Sequence, residues 1–248
     1  IFNSGSFFDE DEISESTRDY IFKKITTIPK IKELVIESRV DYITQEKLTK
    51  MKSILDNLYI EVAIGLETVN DHIRNAYINK GLLFKDFLEA IHLCRNYDVG
   101  VRTYLLFKPP FLNEQAAIDD CLNSILKLAE LKVNTISINP LNIQKNSLVE
   151  NLYFRNKYRP PWFYSLFKCI IKAYGNRELL RNVRIISSPS GAGSKRGIHN
   201  CLKKECNQSM TKSLKNFVLS QDINNLINYD KDYSCDCLAK YQFQKRYI

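Results

Sequence analysis

The feature that most constrains the fold of this chain is a short apolar run that ends abruptly in polar residues. Residues 62–66 are apolar, and Glu67 and Thr68 follow at once, before residues 69–73 open a helical pattern. Such a run is typical of a buried strand of a parallel sheet, and it brings a carboxylate to the carboxyl end of that sheet. This stretch alone therefore favours an α/β fold.

The same order of apolar strand, polar end and amphipathic helix recurs along most of the chain. Predicted strands cover residues 1–3, 34–36, 62–66, 101–107, 135–138 and 183–186. Predicted helices cover residues 9–29, 44–55, 84–97, 114–131 and 162–174. Helices of this length between strands imply right-handed crossovers and a parallel sheet. Periodicity alone does not separate a partial (β/α) barrel from a doubly wound sheet. The barrel is favoured because neither a reversal of strand order nor a dinucleotide-binding fingerprint is visible.

The alternation of strands and helices stops near residue 190. We expect residues 1–190 to form the partial barrel and residues 191–248 to form a basic, cysteine-containing C-terminal extension. The chain of 248 residues starts at Ile1 in the middle of what looks like a strand, so we expect an N-terminal truncation inside the barrel. No apolar run reaches the ~20 residues of a membrane span, so we expect a cytoplasmic protein with no membrane partner.

The formal net charge is +8, from 36 lysines and arginines against 28 acidic residues. A basic excess of this size suits a polyanionic partner such as nucleic acid. A lysine-rich solvated surface explains the charge equally well, so charge alone leaves both interpretations open.

Polar residues follow the predicted strands, and we expect them to share one rim of the sheet. This candidate binding set consists of Ser4, Gly5, Ser6, Glu37, Arg39, Glu67, Lys108, Asn139 and Asn142. Any one of them is readily explained as a helix cap or a solvated loop residue. Their recurrence at five strands favours a common ligand site at the carboxyl rim, where barrel enzymes bind their substrates.

The seven cysteines fall into two groups. Three lie singly in helical patterns and suit small buried side chains: Cys94, Cys121 and Cys169. Four cluster near the end of the chain and are candidate metal ligands: Cys201, Cys206, Cys235 and Cys237. Two close pairs of thiols suit a tetrahedral zinc ion, although an iron–sulfur cluster is chemically possible and unconnected thiols are the plain alternative.

Two further segments carry weaker signals. Residues 190–197 are rich in glycine and include Lys195 and Arg196, so they could cradle a phosphate or form a flexible basic loop. Residues 158–162 place aromatic beside basic side chains, as nucleic-acid readers do, or they form a rigid loop before a core helix. With three histidines in the chain, two of them in helical patterns, no Ser/His/Asp triad is credible.

Several segments together resemble the radical S-adenosylmethionine (SAM) superfamily, in the group of the elongator catalytic subunit. Residues 34–44 and 64–68 resemble two strand signatures of that group. Four more segments are similar to the family of archaeosine synthase radical SAM subunits, called RaSEA: residues 3–7, 104–111, 158–162 and 191–201.

The resemblance implies a six-stranded partial TIM-like barrel that binds SAM and a [4Fe–4S] cluster at its carboxyl rim. In the superfamily, reductive cleavage of SAM gives a 5′-deoxyadenosyl radical that abstracts hydrogen from the substrate. In the archaeosine family the substrate is tRNA carrying a lysine-modified deazaguanine. Radical cleavage of a lysine C–N bond leaves archaeosine, in partnership with a lysine-transferring subunit.

The resemblance also implies roles for the rim residues. Ser4, Gly5 and Ser6 match the segment that meets the methionyl amino group of SAM, and Glu67 matches a residue near its ribose or amino acid moiety. Glu37 and Arg39 match further rim residues. Asn139 and Asn142 lie where a strand approaches the adenine.

The chain departs from the superfamily in one respect. It contains no Cys-x3-Cys-x2-Cys motif, so the cluster loop after the first strand is absent. We therefore expect this chain alone to be unable to reduce SAM, and we do not assign the tail cysteines to that cluster. Two alternatives to a radical SAM tRNA-modifying enzyme stay open: another radical SAM enzyme of the same group, and a non-catalytic, zinc-stabilised RNA-binding module.

Overall fold

A computed structural model describes residues 1–2, 5–228 and 235–247 and shows an α/β protein. In these residues the sheet has five strands: β1 (Glu33–Glu37), β2 (Tyr59–Glu67), β3 (Gly100–Phe107), β4 (Thr135–Pro140) and β5 (Arg184–Ile186). Their spatial order follows the chain from β1 to β5. Strands β1 and β2 are parallel, with Ile36 opposite Val62. The predicted α/β class with a parallel sheet is therefore confirmed.

Helices alternate with these strands. The described residues form α1 (Glu15–Thr26), α2 (Gln45–Ile54), α3 (Phe84–Asn96), α4 (Glu114–Glu130), α5 (Leu148–Phe154), α6 (Phe163–Ala173), α7 (Arg177–Leu180), α8 (Lys204–Ser220), α9 (Asn224–Ile227) and α10 (Cys237–Gln244). Short 3₁₀ helices cover Val40–Tyr42 and Tyr174–Asn176, and a short π-helix covers Ile73–Tyr77. Among the described residues, no helix combines the length and the apolar character that a membrane span requires.

Side-chain caps explain where several helices begin. Thr44 accepts a hydrogen bond from the Lys47 amide at 3.4 Å and so caps α2, whose predicted range of residues 44–55 agrees closely with the observed one. The prediction that the first helix begins near Asp9 is wrong. Asp9 instead accepts the Asp11 amide at 3.0 Å in a local turn, and Ser14 caps the first turn of α1.

The first residue adds backbone pairing to β1, although no strand is assigned there. The amino group of Ile1 donates to the Val35 carbonyl, and the Ile1 carbonyl accepts the Glu37 amide at 3.3 Å. Bonding to residues on either side of Ile36 is the pattern of a parallel ladder. The predicted strand at residues 1–3 is therefore seen only as this backbone pairing of Ile1, and Asn3 lies outside the described residues.

The chain forms two compact units. The first comprises Ile1–Leu66, Leu82–Tyr104 and Val133–Thr135, and the second comprises Glu67–Gly81, Leu105–Lys132 and Ile136–Ile248. Strands β2, β3 and β4 begin in the first unit and end in the second. Each unit has its own apolar core, with Phe7 and Phe22 in the first and Phe163 and Phe217 in the second.

The C-terminal part of the second unit contains a long amphipathic helix, α8, which extends into the segment between the two cysteine pairs. Helix α8 buries Cys206, Met210, Leu214 and Phe217 along one side, at the spacing of an amphipathic helix. Helix α8 is therefore regular and packed. A domain boundary at residue 190 stays a prediction.

Candidate functional site

In the first unit, the loop at Ser6 is hydrogen-bonded to the end of β1. The Ser6 hydroxyl accepts the Arg39 amide at 2.9 Å and lies 2.9 Å from the Ser38 hydroxyl. The Ser6 amide donates to the Glu12 carboxylate at 2.8 Å. A side chain at Gly5 would meet that same carboxylate, so Glu12 would have to move and its hydrogen bond to Ser6 would be disturbed. These contacts fix the backbone at Ser6, the last residue of the predicted methionyl-binding segment.

The other candidates of the first unit differ in exposure. Glu37 is the last residue of β1, and its carbonyl accepts the Phe7 amide at 2.8 Å. The guanidinium of Arg39 points to solvent and contacts the Asp41 carboxylate at 3.0 Å. It is thus available to a ligand. Ser4 lies outside the described residues.

In the second unit, Glu67 ends β2 in an unusual backbone conformation. Its φ of 67° lies in the left-handed region, which non-glycine residues rarely occupy. Its carboxylate is half-buried and receives a hydrogen bond from the Lys80 ammonium at 2.8 Å. Strained residues of this kind concentrate at ligand sites, because the surrounding structure must hold them in place.

Lys108, directly after β3, also has a left-handed backbone, with φ of 60°. Its side chain is fully buried, and its ammonium donates to Glu114 at 2.6 Å and to the Arg159 carbonyl at 2.8 Å. Burial lowers the pKa of Lys108, and the attraction of Glu114 only partly offsets this effect. Lys108 therefore ties the end of β3 to the start of α4 and to residue 159.

Asn139 and Asn142 lie at the end of β4 and just beyond it. The Ser137 hydroxyl donates to the Asn139 side-chain oxygen at 3.4 Å, and the Asn142 amide group lies beside Gly191. Both side chains are half-buried. With Glu67 and Lys108, they follow the carboxyl ends of three successive strands in this unit. Their convergence on one bound ligand stays a prediction.

The four tail cysteines lie together in the second unit. All four Sγ atoms lie within 4.8 Å of one another. The Cys201 and Cys235 sulfurs are 3.5 Å apart, and those of Cys206 and Cys237 are 3.8 Å apart. Cys206 lies in the first turn of α8 and Cys237 begins α10, so the positive ends of two helix dipoles favour thiolates here. The arrangement suits one metal ion.

Aromatic and cationic groups surround these thiols. Trp162, Tyr164 and Tyr241 pack together against the cluster, and the Tyr164 hydroxyl lies 3.2 Å from the Cys237 sulfur. The Arg159 guanidinium stacks on the Trp162 ring at 3.6 Å from its centroid. Arg159 also donates to the carbonyls of His199 and Asn200, at 2.9 and 3.0 Å. It thereby holds the backbone that leads into Cys201.

Electrostatics in this region follow from burial. Burial raises the pKa of Cys237 to about 11 and raises that of Cys206 as well. Burial also lowers the pKa of Arg159 to about 10 and that of His199 to about 4, so the imidazole is neutral at neutral pH. Two buried thiols that resist ionisation must lose protons to bind a metal. We therefore expect metal affinity to rise with pH.

The weaker sequence signals have local structural explanations. In the glycine-rich loop, Gly193 donates its amide to the Ile198 carbonyl at 2.8 Å, and Ser194 donates to the Gly191 carbonyl at 3.1 Å. These amides are turned inward, which disfavours a phosphate cradle. Tyr158 and Trp162 are buried, which favours the rigid-loop interpretation of residues 158–162.

Sequence reasoning missed Glu114, the buried partner of Lys108. Its place in the first turn of α4 is explained by the helix dipole, so nothing in the pattern marked it as special. It also missed the role of Arg159. The signal that could have indicated Glu114 is a lysine at a strand end followed by an acid at the next helix start.

The fold is that of a partial (β/α) barrel, and comparison with solved structures agrees. The archaeal Elp3 of Methanocaldococcus infernus, with residues 1–46 deleted, matches with a TM-score of 0.56 at 15% identity, covering 75% of this chain and 42% of that one. This likeness concerns the fold alone. No family model matches the chain.

Two curated relatives define the family. Archaeosine synthase subunit beta of Methanosarcina acetivorans is 42% identical over 237 residues, which cover 96% of this chain and 66% of that protein. The subunit of the same name from Thermococcus kodakarensis is 41% identical over 243 residues, 98% of this chain and 72% of that protein. The chain belongs to the archaeosine synthase subunit beta family and spans about two thirds of the length of these relatives.

Proposed function

We propose that this chain is part of a radical SAM enzyme that forms archaeosine in tRNA. The observation that carries the proposal is its identity of 41–42%, along nearly its whole length, to proteins named archaeosine synthase subunit beta. The proposed reaction cleaves a lysine C–N bond of a lysine-modified deazaguanine and leaves the nitrogen on the base. The proposed partners are tRNA and a lysine-transferring subunit of the same synthase.

The residues present fit the two implied cofactors differently. The chain has no Cys-x3-Cys-x2-Cys motif, and its four clustered thiols are spaced for one ion, so this chain does not fit the [4Fe–4S] cluster. Polar groups at strand ends do fit SAM, since Glu67, Asn139 and Asn142 offer carboxylate and amide groups for ribose hydroxyls and adenine. When bound, SAM supplies a hydrogen-abstracting carbon radical. The strained backbone at Glu67 would hold its carboxylate in a fixed direction.

Genetics with nucleoside analysis tests the proposed reaction. Deletion of the gene should abolish archaeosine in digested tRNA and leave the lysine-modified precursor in its place. The wild-type gene should restore archaeosine. A Glu67→Gln variant should restore less than a tenth of it, and Glu130→Gln, on the exposed end of α4, should restore it fully.

Each alternative has its own outcome in the same assay. Unchanged archaeosine with a different nucleoside altered would identify another radical SAM enzyme. Unchanged nucleosides together with tRNA binding would favour the non-catalytic RNA-binding module. Either result would contradict the archaeosine proposal.

We further propose that the four cysteines hold one structural zinc ion. Zinc–thiolate bonds of about 2.3 Å in a tetrahedron place the sulfurs about 3.8 Å apart. The distances of 3.5 and 3.8 Å within the two pairs are close to that value. A cluster that gives each iron its own thiolate needs wider spacing, so a single ion suits the set better.

Metal analysis of the full-length protein tests this site. We expect one zinc per chain, lost in Cys206→Ser and retained in Cys94→Ala, which changes an isolated buried cysteine of the first unit. Because structural zinc contributes about 10 kcal/mol or more to folding, the Cys206→Ser variant should lose the cooperative unfolding of its tail. A wild-type protein without zinc, or a Cys206→Ser variant that keeps it, would contradict the proposal.

A further inference from the structure

We propose that the outer face of α10 and the residues after it form a docking surface for unpaired nucleotides of RNA. The surface consists of Lys240, Phe243, Lys245, Arg246 and Tyr247, with Lys168 of α6 beside it. The inference rests on the proposed function only in taking tRNA as the natural RNA. It assigns a role to a segment that the proposed chemistry does not use.

The first argument is that α10 is held rigidly although it is short. A helix of eight residues is marginal by itself, so its stability must come from its anchors. Cys237 at its start belongs to the thiol cluster, and Tyr241 packs against Trp162. At its far end, the Lys245 carbonyl accepts the Gln115 amide at 3.0 Å. The outer face of α10 therefore has a fixed orientation.

The second argument is that this fixed face exposes two large aromatic rings. The side chains of Phe243 and Tyr247 are 77% and 76% exposed. Their ring centroids are 6.1 Å apart, with the ring planes tilted by 38°. Two adjacent rings turned to solvent cost free energy in an isolated protein and are typical of interaction sites.

The third argument is that the segment carrying the rings is rich in basic residues. Residues 235–247 contain three basic side chains and one acid, Asp236, which pairs with Lys240 at 3.0 Å. Lys168 is close enough to feel these charges: burial is the main cause that lowers its pKa, followed by the charges of Lys245 and Lys172, and Asp119 opposes them. The local charge is thus positive, in a chain whose net charge is +8.

Unpaired RNA is the partner that both features fit. Aromatic faces stack on exposed bases regardless of sequence, and neighbouring lysines and arginines contact phosphates. An acidic protein or an anionic membrane would use the cations but gives no reason for a pair of adjacent rings. A duplex would hide its bases from them.

RNA-binding measurements on the full-length, zinc-loaded protein test the surface. The ligands are tRNA, a short single-stranded RNA and a duplex of the same sequence. We expect Phe243→Ala with Tyr247→Ala to weaken binding of tRNA and single-stranded RNA at least tenfold, since stacking is worth roughly 1–3 kcal/mol per base. Its salt dependence should stay that of the wild type. A variant that combines Lys245→Gln with Arg246→Gln should instead lower the slope of log K against log[salt] by about 1.5. Tyr20→Ala, a ring 68% exposed on α1, is the matched control and should change nothing.

Tryptophan at position 243 provides the direct readout of stacking. The Phe243→Trp variant should keep wild-type affinity, and its added fluorescence should be quenched by single-stranded RNA and not by the duplex. Wild-type affinity in the double alanine variant, or unquenched fluorescence in the Phe243→Trp variant, would overturn the proposal. If the double variant loses zinc or its melting transition, the quenching result alone decides.

The same variants distinguish a failure of the docking surface from a failure of the proposed reaction. Normal archaeosine formation combined with unchanged RNA affinity in the double variant would overturn the docking surface alone. Loss of RNA affinity in the double variant of a protein that makes no archaeosine would leave the surface and overturn the proposed reaction.

Discussion

Each of the two units buries a carboxylate against a cation, and the two pairs differ in how they are built. In the first unit, Glu61 accepts hydrogen bonds from Arg102 at 2.7 Å, from Tyr59 at 3.0 Å and from Thr135 at 2.7 Å. Arg102 also donates to Glu33 at 2.9 Å. Both charged groups of the pair have more than one partner, so the loss of one contact leaves others in place.

In the second unit, the pair is Lys108 and Glu114, and its further contacts are to backbone groups. The Lys108 ammonium contacts Glu114 and the Arg159 carbonyl, and the second oxygen of Glu114 accepts the Trp162 amide at 3.3 Å. Both side chains are fully buried. Through Arg159, this network continues to the carbonyls of His199 and Asn200, next to Cys201.

The two networks also differ in where they lie along the strands. Glu61 and Arg102 lie in the first half of their strands, and Thr135 begins β4, whereas Lys108 follows the carboxyl end of β3. In (β/α) barrels the amino ends of strands serve stability and the carboxyl ends carry function. The first network uses arginine, whose charge is permanent. The second uses a lysine in a left-handed backbone, connected to a candidate metal centre.

Glutamine at each buried carboxylate tests this comparison with the largest expected effect. Glu114→Gln removes the carboxylate that the buried Lys108 ammonium contacts at 2.6 Å, so we expect a loss of about 3–5 kcal/mol in the free energy of unfolding. Glu61→Gln should cost about 1–3 kcal/mol, because Arg102 keeps Glu33 and the amide oxygen still accepts a hydroxyl. Urea denaturation of the metal-loaded protein measures both.

Zinc content sharpens this comparison, because the second network leads to the cysteines. Glu114→Gln should release zinc to a chelator faster than the wild type, and Glu61→Gln should release it at the wild-type rate. Equal destabilisation and equal release rates in the two variants would refute the distinction between the networks.

A second prediction concerns the turn before His199. An added methyl group at Gly197 would collide with the Gly191 carbonyl oxygen, and a backbone atom cannot move aside cheaply. We expect Gly197→Ala to cost about 2 kcal/mol or more and to speed zinc release. At Gly175, where a methyl group meets nothing within 4 Å, alanine should be neutral or stabilise by about 0.5–1 kcal/mol. Thermal melts and a zinc-release assay measure the effects of both variants. Unchanged stability and zinc release in Gly197→Ala would mean that the turn tolerates movement.

The hydrophobic pattern predicted the strands of the sheet because each strand is a buried apolar run with polar ends. Strands β1 to β5 all include their predicted residues or differ by one at an end, and the cysteines that sequence spacing paired are together in the structure. Helix α1 was placed too early because an acidic run suits a helix start, while Ser14 supplies the actual cap. Helix α8 shows the same amphipathic periodicity as the other helices, with its buried residues along one side.

Partnerships between distant side chains were not predictable in the same way. A pattern indicates that position 108 follows a strand, yet it does not indicate that the lysine turns inward to Glu114 or that its neighbour Tyr158 donates to its carbonyl at 2.8 Å. Such choices depend on which helix packs over the strand end. The unusual backbone at Glu67 and Lys108 is also set by that packing, since neither residue type favours it.

The smallest expected effect concerns a half-buried carboxylate, Asp120 of the second unit. It accepts a hydrogen bond from the Thr68 hydroxyl at 2.7 Å. Burial raises the pKa of Asp120, and the Thr68 hydrogen bond only partly opposes this effect. The folded protein therefore binds this proton more tightly than the unfolded chain does. Its contribution to stability is full below the unfolded pKa of about 3.9 and is lost as pH rises through the higher folded pKa.

Asparagine at position 120 removes this titration and keeps an oxygen for Thr68. Relative to the wild type, we expect Asp120→Asn to gain stability as pH rises from about 4 to about 7, by on the order of 1 kcal/mol. Urea denaturation at a series of pH values measures the difference, with Asp119→Asn as the control on the exposed side of the same helix turn. Because a carboxylate stabilised by a cation would respond in the opposite direction, a loss of stability in Asp120→Asn at neutral pH would place Asp120 with Glu61 and Glu114. It would then have to be counted as part of a charge network of the second unit.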